Sequence, residues 1–311
     1  NKEGLTVDAD HVVAITNGGG IRAAIKPGDV TKKDINTVLP FGNTVAVIYV
    51  TGAELLEALE ASTYSLPVGG FPQVAGINFT LSTAVAYDAN AETYPASTYY
   101  GPKSINRVVI NSINGKEFKA DDTYAVVTNN FVAGGGDTYY AFAAASAQFD
   151  TGIPLDEAVM EYVTTELKGV IGAQYAAPQG RILMNPFKDV KTSAWYGSYV
   201  IDLYNDGIIN GTSATTYAPN DTLTWAAALK LLLVSHGDLK AADATGADWS
   251  KNTIAKAAEL GLVAADLDGA KAISRLEFCQ VAAKLKAEGI RVEVDHSDDR
   301  FGKKIRNASK E

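Results

Sequence analysis

The segment of the chain best suited to ligand chemistry is a glycine-rich turn that follows an apolar run. The run from His11 to Thr16 predicts a buried strand, and it leads into Asn17, three glycines, Ile21 and Arg22. Glycines let the backbone approach a ligand, their N–H groups can surround an anion, and an arginine can grip phosphate or carboxylate. A tight structural turn with a surface arginine would show the same pattern, so both interpretations stay open.

The spacing Gly18-x-Gly20-x-x-Ala23 also fits the fingerprint of dinucleotide-binding folds. However, Pro27 lies where the second turn of the required helix would form, and proline breaks helix interiors. No acidic residue ends a second strand at the usual distance. The sequence therefore argues against a Rossmann-type site.

Residues suited to metal or thiol chemistry are few. The histidines His11, His236 and His296 lie far apart, and Cys279 is the only cysteine, which excludes an intrachain disulfide and a thiolate zinc cluster. Asp-x-His and Gly-Asn-His phrases, which supply ligands in two-metal hydrolases, do not occur. We therefore expect no metal ion and no other cofactor to be bound by this chain itself.

Composition excludes several classes of protein. The 311 residues are 47% hydrophobic and 20% charged, which is ordinary for a globular protein and unlike a disordered one. The net charge of −9 disfavours a broad nucleic-acid-binding surface. No apolar run reaches the roughly 20 residues of a membrane-spanning helix. The length suggests two domains of about 150 residues each.

Residues 1–184 mix strand and helix patterns, which predicts an α/β domain with a mixed sheet. Thr51–Glu54 has the form of a capping box before a helix, and Pro154 is expected to start a helix to about residue 168. Asn114-Gly115 indicates a two-residue hairpin turn. Further strands are predicted at 44–50, 75–87, 108–119 and 124–128.

Beyond residue 184 the chain repeats itself with a period of 54 residues, which separates Trp195 from Trp249 and Gly207 from Gly261. Each copy has a helical pattern, a glycine stop, a polar loop, a Thr or Ser cap and a second helical pattern. This predicts a separate all-α domain of helix-loop-helix repeats, with both tryptophans as core anchors. We expect two copies over 185–294 and a tail or stub of a third copy over 295–311.

Five ordered blocks within residues 10–184 resemble the C-terminal domain of the 5'-nucleotidase family. They read NGGGIR from Asn17, VLPFGNTV from Val38, TGAELLEALE from Thr51, FPQVAGINF from Phe71 and NNFVAGGGDTYYAF from Asn129. The resemblance implies a domain that binds the nucleoside part of a substrate. It also implies that catalysis and two divalent metal ions belong to an N-terminal metallophosphoesterase domain, which this chain lacks, so no catalytic residue is expected here.

The resemblance also implies which residues bind the substrate. Phe41 and Phe131 match two aromatics that sandwich the base, Asp137 matches a carboxylate that binds the ribose hydroxyls, Arg22 matches a substrate-contacting arginine, and Asn43 matches a polar residue near the base. The rest of the implied pocket is Asn17, Gly18, Gly19, Gly20, Gly42 and Gly136. Judged without the resemblance, the two phenylalanines would be core residues and Asp137 a turn residue.

The repeats resemble S-layer homology repeats, through the phrases that begin at Phe187, Gly207 and Tyr217. The resemblance implies a cell-surface location and binding of a secondary cell-wall polysaccharide by a Thr-Arg-Ala-Glu-like phrase at the start of a helix. The second copy keeps this phrase, and the first copy lacks both charged residues. The residues expected to bind the wall polymer are Ser274, Arg275 and Glu277.

These resemblances predict the substrate-binding and wall-anchored part of an extracellular bacterial 5'-nucleotidase-type phosphohydrolase that acts in nucleotide catabolism. Its expected partners are a nucleotide or nucleoside and the wall polysaccharide, with no nucleic acid and no membrane insertion. Because the chain lacks a metal centre, we expect it to be inactive alone. The alternative is a non-catalytic surface module that binds a nucleoside or a cell-wall glycan.

Overall fold

The computed structural model describes residues 6–85 and 105–287 of the chain, which divides into two units, Asn1–Met184 and Asn185–Glu311. The strands are β1 (Val12–Asn17), β2 (Thr44–Thr51), β3 (Pro72–Ala75), β4 (Ile77–Ser82), β5 (Val108–Ile113), β6 (Thr123–Asn129), β7 (Ala147–Pro154) and β8 (Ile182–Asn185). The helices are α1 (Lys32–Val38), α2 (Gly52–Ser62), α3 (Asn130–Ala133), α4 (Leu155–Glu161), α5 (Gly197–Asn205), α6 (Trp225–His236), α7 (Trp249–Glu259) and α8 (Arg275–Ala287).

The first unit contains two sheets. The five-stranded sheet has the order β3-β1-β6-β2-β7, and the three-stranded sheet has the order β5-β4-β8. Strand β1 runs parallel to β6 and antiparallel to β3, while β2 runs antiparallel to both β6 and β7. The expected α/β class with a mixed sheet is therefore confirmed.

Helix α2 covers the central strands because its sequence sets both its start and its apolar face. The capping box is formed: Thr51 Oγ1 accepts from the Glu54 N–H at 3.2 Å, and the Glu54 carboxylate accepts from the Thr51 N–H at 2.7 Å. Leu55 and Leu59 lie one turn apart and are fully buried in the core of this unit.

The predicted strand 75–87 is two strands in the structure. Gly76 has a φ of +76°, in the left-handed region that glycine adopts readily, and there the chain leaves one sheet and enters the other. Strand β4 then ends at Ser82, and residues 86 and 87 lie outside the described residues. The period of the apolar pattern alone did not show that the two halves belong to different sheets.

Two other predicted elements also end earlier than expected. The hairpin turn at Asn114-Gly115 is present, with φ values of +46° and +77°, but strand β5 stops at Ile113 rather than continuing to 119. The helix expected over 154–168 is α-helical only to Glu161 and continues as one π-helical turn over Tyr162–Glu166.

The helix pairs α5–α6 and α7–α8 share one layout in the second unit. Gly207 and Gly261, 54 residues apart, both take left-handed φ values, of +73° and +69°, just after α5 and α7. Thr224 accepts a hydrogen bond from the Ala227 N–H and so caps α6. No helix among the described residues has the length and apolar composition needed to cross a membrane.

The tryptophans differ from the expectation. Trp195 is 54% exposed, so its assignment as a core anchor is wrong, whereas Trp249 is half-buried with the Lys230 ammonium 5.6 Å from its ring centroid. Trp225 is 9% exposed and packs in the apolar cluster of this unit with Leu229 and Leu262. A ring buried in this way is not available to stack on a sugar.

The phrase that begins at Phe187 has a structural role. The buried ring of Phe187 contacts the rings of Tyr204 and Tyr217, with centroid distances of 5.2 and 5.6 Å. The Asp189 carboxylate accepts from the N–H groups of Tyr217 (2.9 Å) and Ala218 (2.7 Å). Burial acts to raise the pKa of Asp189, but the backbone hydrogen bonds together outweigh it and lower this pKa.

Candidate functional site

The parallel pairing of β1 with β6 brings two asparagines together across the sequence. Because parallel neighbours end at the same edge of a sheet, Asn17 at the end of β1 lies beside Asn129 at the end of β6. Asn129 Nδ2 donates to Asn17 Oδ1 at 3.1 Å, and Asn17 Nδ2 donates to Asp137 Oδ2 at 2.6 Å. Asn17 and Asn129 are only 4% and 1% exposed, so this chain of hydrogen bonds is largely shielded from water.

The glycine-rich turn is held by the chain itself. Gly18 N–H donates to the carbonyl of Phe71 at 2.8 Å, and Gly19 N–H donates to the carbonyl of Gly69 at 2.7 Å. A Cβ on Gly19 would lie 3.0 Å from that Gly69 oxygen, so glycine is needed there for close backbone approach. The Arg22 N–H is also bonded within the chain. The amides of Gly18, Gly19 and Arg22 are therefore not available to an anion, and the interpretation of this turn as an anion cradle is wrong for them.

Arg22 and Phe41 lie together at an exposed position. Arg22 Cζ lies 5.8 Å from the centroid of the Phe41 ring, within the range of a cation–π contact. Arg22 Nη1 also donates to the Gly19 carbonyl at 3.2 Å, which holds the guanidinium over the turn. The Phe41 ring is 60% exposed, so this residue is not part of the core.

Phe131 is the second exposed ring, and the short helix α3 and Gly136 position it. The Asn129 side chain accepts from the Val132 N–H at 2.9 Å and so caps the helix on which Phe131 stands. A Cβ on Gly136 would lie 2.5–2.7 Å from three atoms of the Phe131 ring, so the ring packs directly on this glycine. The ring is 46% exposed, which also excludes a core role.

Asp137 follows Gly136 with a φ of +52°, a left-handed conformation that aspartate tolerates better than most residues. The backbone thereby brings its carboxylate to Asn17 and leaves it half-buried. A carboxylate has about four acceptor positions, so one bond to Asn17 leaves capacity for hydroxyl donors. Phe131, Gly136 and Asp137 thus form one contiguous group with Asn17.

Gly42 and Asn43 are positioned by a different contact. Gly42 is exposed with a φ of +65°, and the carbonyl of Asn43 accepts from the Leu155 N–H at 2.9 Å. This contact ties the segment to the start of α4 and does not bring the Asn43 side chain to Asp137. The expected place of Asn43 near a base therefore stays a prediction, as does the facing arrangement of the two rings.

Sequence reasoning missed Asn129 and Tyr139 as supports of the site. Tyr139 is fully buried beside Asp137, its hydroxyl donates to the Gly70 carbonyl at 2.7 Å, and burial strongly raises its pKa. The position of Asn129, between a predicted strand and a short apolar segment, is typical of a helix N-cap and could have marked it.

The histidine at the start of β1 lies at the opposite end of that strand from Asn17. His11 Nδ1 lies 2.8 Å from Asp10 Oδ1 and its Nε2 lies 3.2 Å from Asp122 Oδ2, contacts that raise the pKa of His11. Its ring stacks on Tyr124, which indicates a structural role. Within residues 6–85 and 105–287, no group of three or more His, Cys, Asp or Glu side chains is arranged to hold a metal ion.

The candidate wall-binding phrase lies at the start of α8. Ser274 and Glu277 form a reciprocal capping box: the Glu277 N–H donates to Ser274 Oγ at 3.2 Å, and the Ser274 N–H donates to Glu277 Oε2 at 2.8 Å. The hydrogen bond from the Ser274 side chain is the largest cause of the lowered pKa of Glu277. Arg275 is exposed in the first turn, so it is the residue of this phrase that can meet an anion.

The equivalent start of α6 is covered by the second repeat. Trp225 N–H donates to the Lys271 carbonyl at 2.9 Å, and Ala226 N–H donates to the Gly269 carbonyl at 3.0 Å. These are the first two amides of the helix, which would otherwise be the donors for a bound anion. The two helix starts therefore differ in access as well as in charge.

Sequence comparisons divide the chain in the same order. Residues 4–144 match the model of the "5'-nucleotidase, C-terminal domain", and residues 186–228 match the "S-layer homology domain". Residues 271–311 match the "Anticodon binding domain", and this range includes the segment 295–311 expected to be a tail or third-repeat stub. Its described part, residues 271–287, consists of α8 and the loop before it.

Similar proteins include the trifunctional nucleotide phosphoesterase protein YfkN of Bacillus subtilis, at 43% identity over 45% of this chain and 9% of that protein. The cell wall protein Lmo0130 of Listeria monocytogenes is 32% identical over 47% of this chain and 17% of that protein. The solved 5'-nucleotidase precursor from Thermus thermophilus shares 36% identity over 55% of this chain and 31% of that chain, with a TM-score of 0.44. The chain thus spans less than a third of the length of each of these proteins. Its first unit is thus similar to the C-terminal domain of 5'-nucleotidases, and the start of its second unit is similar to an S-layer homology domain.

Proposed function

We propose that the first unit binds the nucleoside part of a nucleotide substrate. The observation that carries this proposal is the contiguous group in which the exposed Phe131 ring packs on Gly136 and the Asp137 carboxylate follows directly. An aromatic face stacks on any base, and a carboxylate accepts hydrogen bonds from ribose hydroxyls. Phe41, with Arg22 beside it, is the second aromatic face of the proposed site.

For the whole protein, the proposal includes a hydrolytic activity that residues outside this chain would supply. Similar proteins are named as 5'-nucleotidases and nucleotide phosphoesterases, which supports a surface-anchored member of that family. Hydrolysis and the two divalent metal ions are proposed for a metallophosphoesterase domain outside the 311 residues, so no step of hydrolysis is assigned to a residue here. Extracellular nucleotide catabolism is the process in which this activity would serve.

Calorimetric titration of the chain with adenosine and AMP tests the nucleoside proposal. We expect Phe131→Ala to weaken adenosine binding by about 1–3 kcal/mol, because one stacking surface is lost. The exposed ring supports no core, so the thermal unfolding midpoint should stay close to that of the wild type. Adenosine binding that survives this substitution unchanged would contradict the proposed stacking.

A matched pair of glycine variants serves as a control for the position of the ring. Gly136→Ala places a methyl group against the Phe131 ring and should displace it, whereas at Gly134 the nearest atom to an added Cβ is the Asn130 carbonyl at 3.4 Å, an ordinary contact. Gly134→Ala should therefore bind adenosine as the wild type does, and Gly136→Ala should bind it more weakly.

For the second unit we propose non-covalent attachment to an acidic cell-wall polysaccharide at the cell surface. The match to an S-layer homology domain and the similarity to a protein named as a cell wall protein support a surface location. The exposed Arg275 at the capped start of α8 offers a positive charge beside the donors of a helix N-terminus. The start of α6 offers neither, so we propose one charge-recognising site within residues 185–287.

Co-sedimentation with purified anionic wall polymer at increasing salt tests this attachment. We expect weak binding that salt weakens further and that Arg275→Ala abolishes, because a single site gains no avidity. Lys251→Ala, which removes one exposed positive charge from α7, is the matched control and should retain binding. Binding that resists high salt or survives Arg275→Ala would show that other residues carry it.

The alternative function is a non-catalytic surface module that binds a nucleoside or a cell-wall glycan, and its glycan-only form gives a different pair of results. In that case the wall polymer would bind, and neither adenosine nor AMP would bind. Nucleoside binding by the wild-type chain would exclude this glycan-only form of the alternative.

A further inference from the structure

The hydrogen-bonded chain from Val132 to Asp137 has a fixed direction. The Val132 N–H can only donate, so the atom of Asn129 that meets it at 2.9 Å must be the acceptor, Oδ1. The Nδ2 of the same amide then faces Asn17, and it donates at 3.1 Å to Asn17 Oδ1. Asn17 in turn has only its Nδ2 left for Asp137, and it donates at 2.6 Å.

The direction of these hydrogen bonds determines that the Asp137 carboxylate faces a donor, the Nδ2 of Asn17. If the Asn17 amide were reversed, its carbonyl oxygen would face a carboxylate oxygen, and two acceptors would repel each other. Thr16 Oγ1 also accepts from Asn129 Nδ2, at 3.2 Å, which adds a second reason for Asn129 to keep its orientation. Because Asn129 is 1% exposed, water cannot easily replace these partners.

We propose that Asn129 is the positioning residue of the nucleoside site, because it couples the aromatic ring to the carboxylate. Its carbonyl oxygen caps the helix that carries Phe131, and its amide orients Asn17 so that Asp137 is held as an acceptor for two ribose hydroxyls. This inference rests on the proposed nucleoside-binding function. Asn129 itself touches no substrate in this proposal.

The test compares adenosine with 2',3'-dideoxyadenosine, which lacks both ribose hydroxyls. Asn129→Ser keeps a capping oxygen for the Val132 N–H but has no amide to orient Asn17, and Asn129→Asp keeps the shape and the cap but also lacks the donor. In both variants we expect adenosine affinity to fall at least tenfold and dideoxyadenosine affinity to change less than threefold. A general structural defect would lower the affinity for adenosine and for dideoxyadenosine by the same factor. An equal loss of affinity for both ligands would therefore overturn the proposal.

Asn130→Asp is the matched control, because it makes the same change of charge at the neighbouring exposed residue, whose side chain accepts from the Thr44 N–H. This variant should keep the wild-type preference for adenosine over dideoxyadenosine. A collapse of that preference in the control would show that charge near the helix, and not the direction of the amide chain, sets it.

A readout without ligand separates this inference from the proposed function. In nuclear magnetic resonance spectra, the side-chain amide protons of Asn17 should exchange slowly with solvent in the wild type and in Asn130→Asp, and quickly in Asn129→Ser. Slow exchange that persists in Asn129→Ser would overturn the inference, whether or not adenosine binds. The expected exchange behaviour with no adenosine binding would instead refute the nucleoside proposal and leave the positioning of Asp137 by Asn129 established.

Discussion

Replacing Arg107 with methionine is expected to lower the free energy of unfolding of the first unit by about 3–5 kcal/mol. Arg107 is 8% exposed, and its guanidinium donates to four carbonyls, at Ser82 (3.2 Å), Thr63 (3.4 Å), Tyr64 (3.0 Å) and Thr83 (3.1 Å). The Arg107 side chain thereby joins residues 63–64 to residues 82–83, and the substitution removes all four of these hydrogen bonds.

Glu60 is the second reason for the large effect. Its carboxylate is buried and accepts from the N–H groups of Arg107 and Val108, each at 3.0 Å. Burial raises the pKa of Glu60 and lowers the pKa of Arg107, while each charge acts on the other in the opposite direction. Without the guanidinium, the buried Glu60 carboxylate would lose its favourable charge interaction with Arg107.

Urea unfolding at pH 7, followed by hydrogen exchange of the β5 amides, measures this loss. Arg181→Met at an exposed position is the matched control and should change the unfolding free energy by less than about 0.5 kcal/mol. The double variant Glu60→Gln/Arg107→Met should recover part of the loss, since both charges are then absent. Equal stability of the Arg107 and Arg181 variants would refute the role given to this buried pair.

Trp225→Ala should destabilise the second unit by about 3–5 kcal/mol, because it leaves a large cavity in an apolar cluster. Trp225 packs at the start of α6 with Leu229, Leu262 and Val281 in that cluster. Trp195→Ala removes the same side chain from a position that is 54% exposed and should cost less than about 0.5 kcal/mol.

All three tryptophans of the chain lie beyond residue 185, so the fluorescence of the two that remain follows the unfolding of the second unit in either variant. Trp225→Phe should fall between wild type and Trp225→Ala, because it fills part of the cavity. Similar unfolding midpoints for Trp225→Ala and Trp195→Ala would contradict the burial described for Trp225.

The local pattern of the sequence predicted those elements whose causes are local. The capping box at Thr51 and the glycine stops at Gly207 and Gly261 were correct, because each depends on residues within one or two turns. The division of the strand at Gly76 was missed, because it depends on pairing with distant strands. The two tryptophans of the repeat were assigned the same burial from their spacing alone, yet only the environment of each copy decides it.

The site shows the same limit. Asn17 and Asn129 are 112 residues apart, and only the parallel pairing of their strands brings them together. The resemblance named Phe131 and Asp137 as substrate-binding residues, whereas Asn129, which links them, appeared only as the first residue of a block. The sequence left open whether the amides of the glycine-rich turn are available, because the partners at Phe71 and Gly69 could not be located from sequence.

The covered start of α6 has a consequence for engineering the repeats. Placing arginine and glutamate at positions 225 and 227 would give the first copy the charged residues of the second copy. The Lys271 and Gly269 carbonyls would still accept hydrogen bonds from the first two amides of the helix. The arginine would also replace a ring that fills the apolar cluster. A transplanted phrase would therefore yield a less stable protein without a second polymer site, so the two copies are not interchangeable parts.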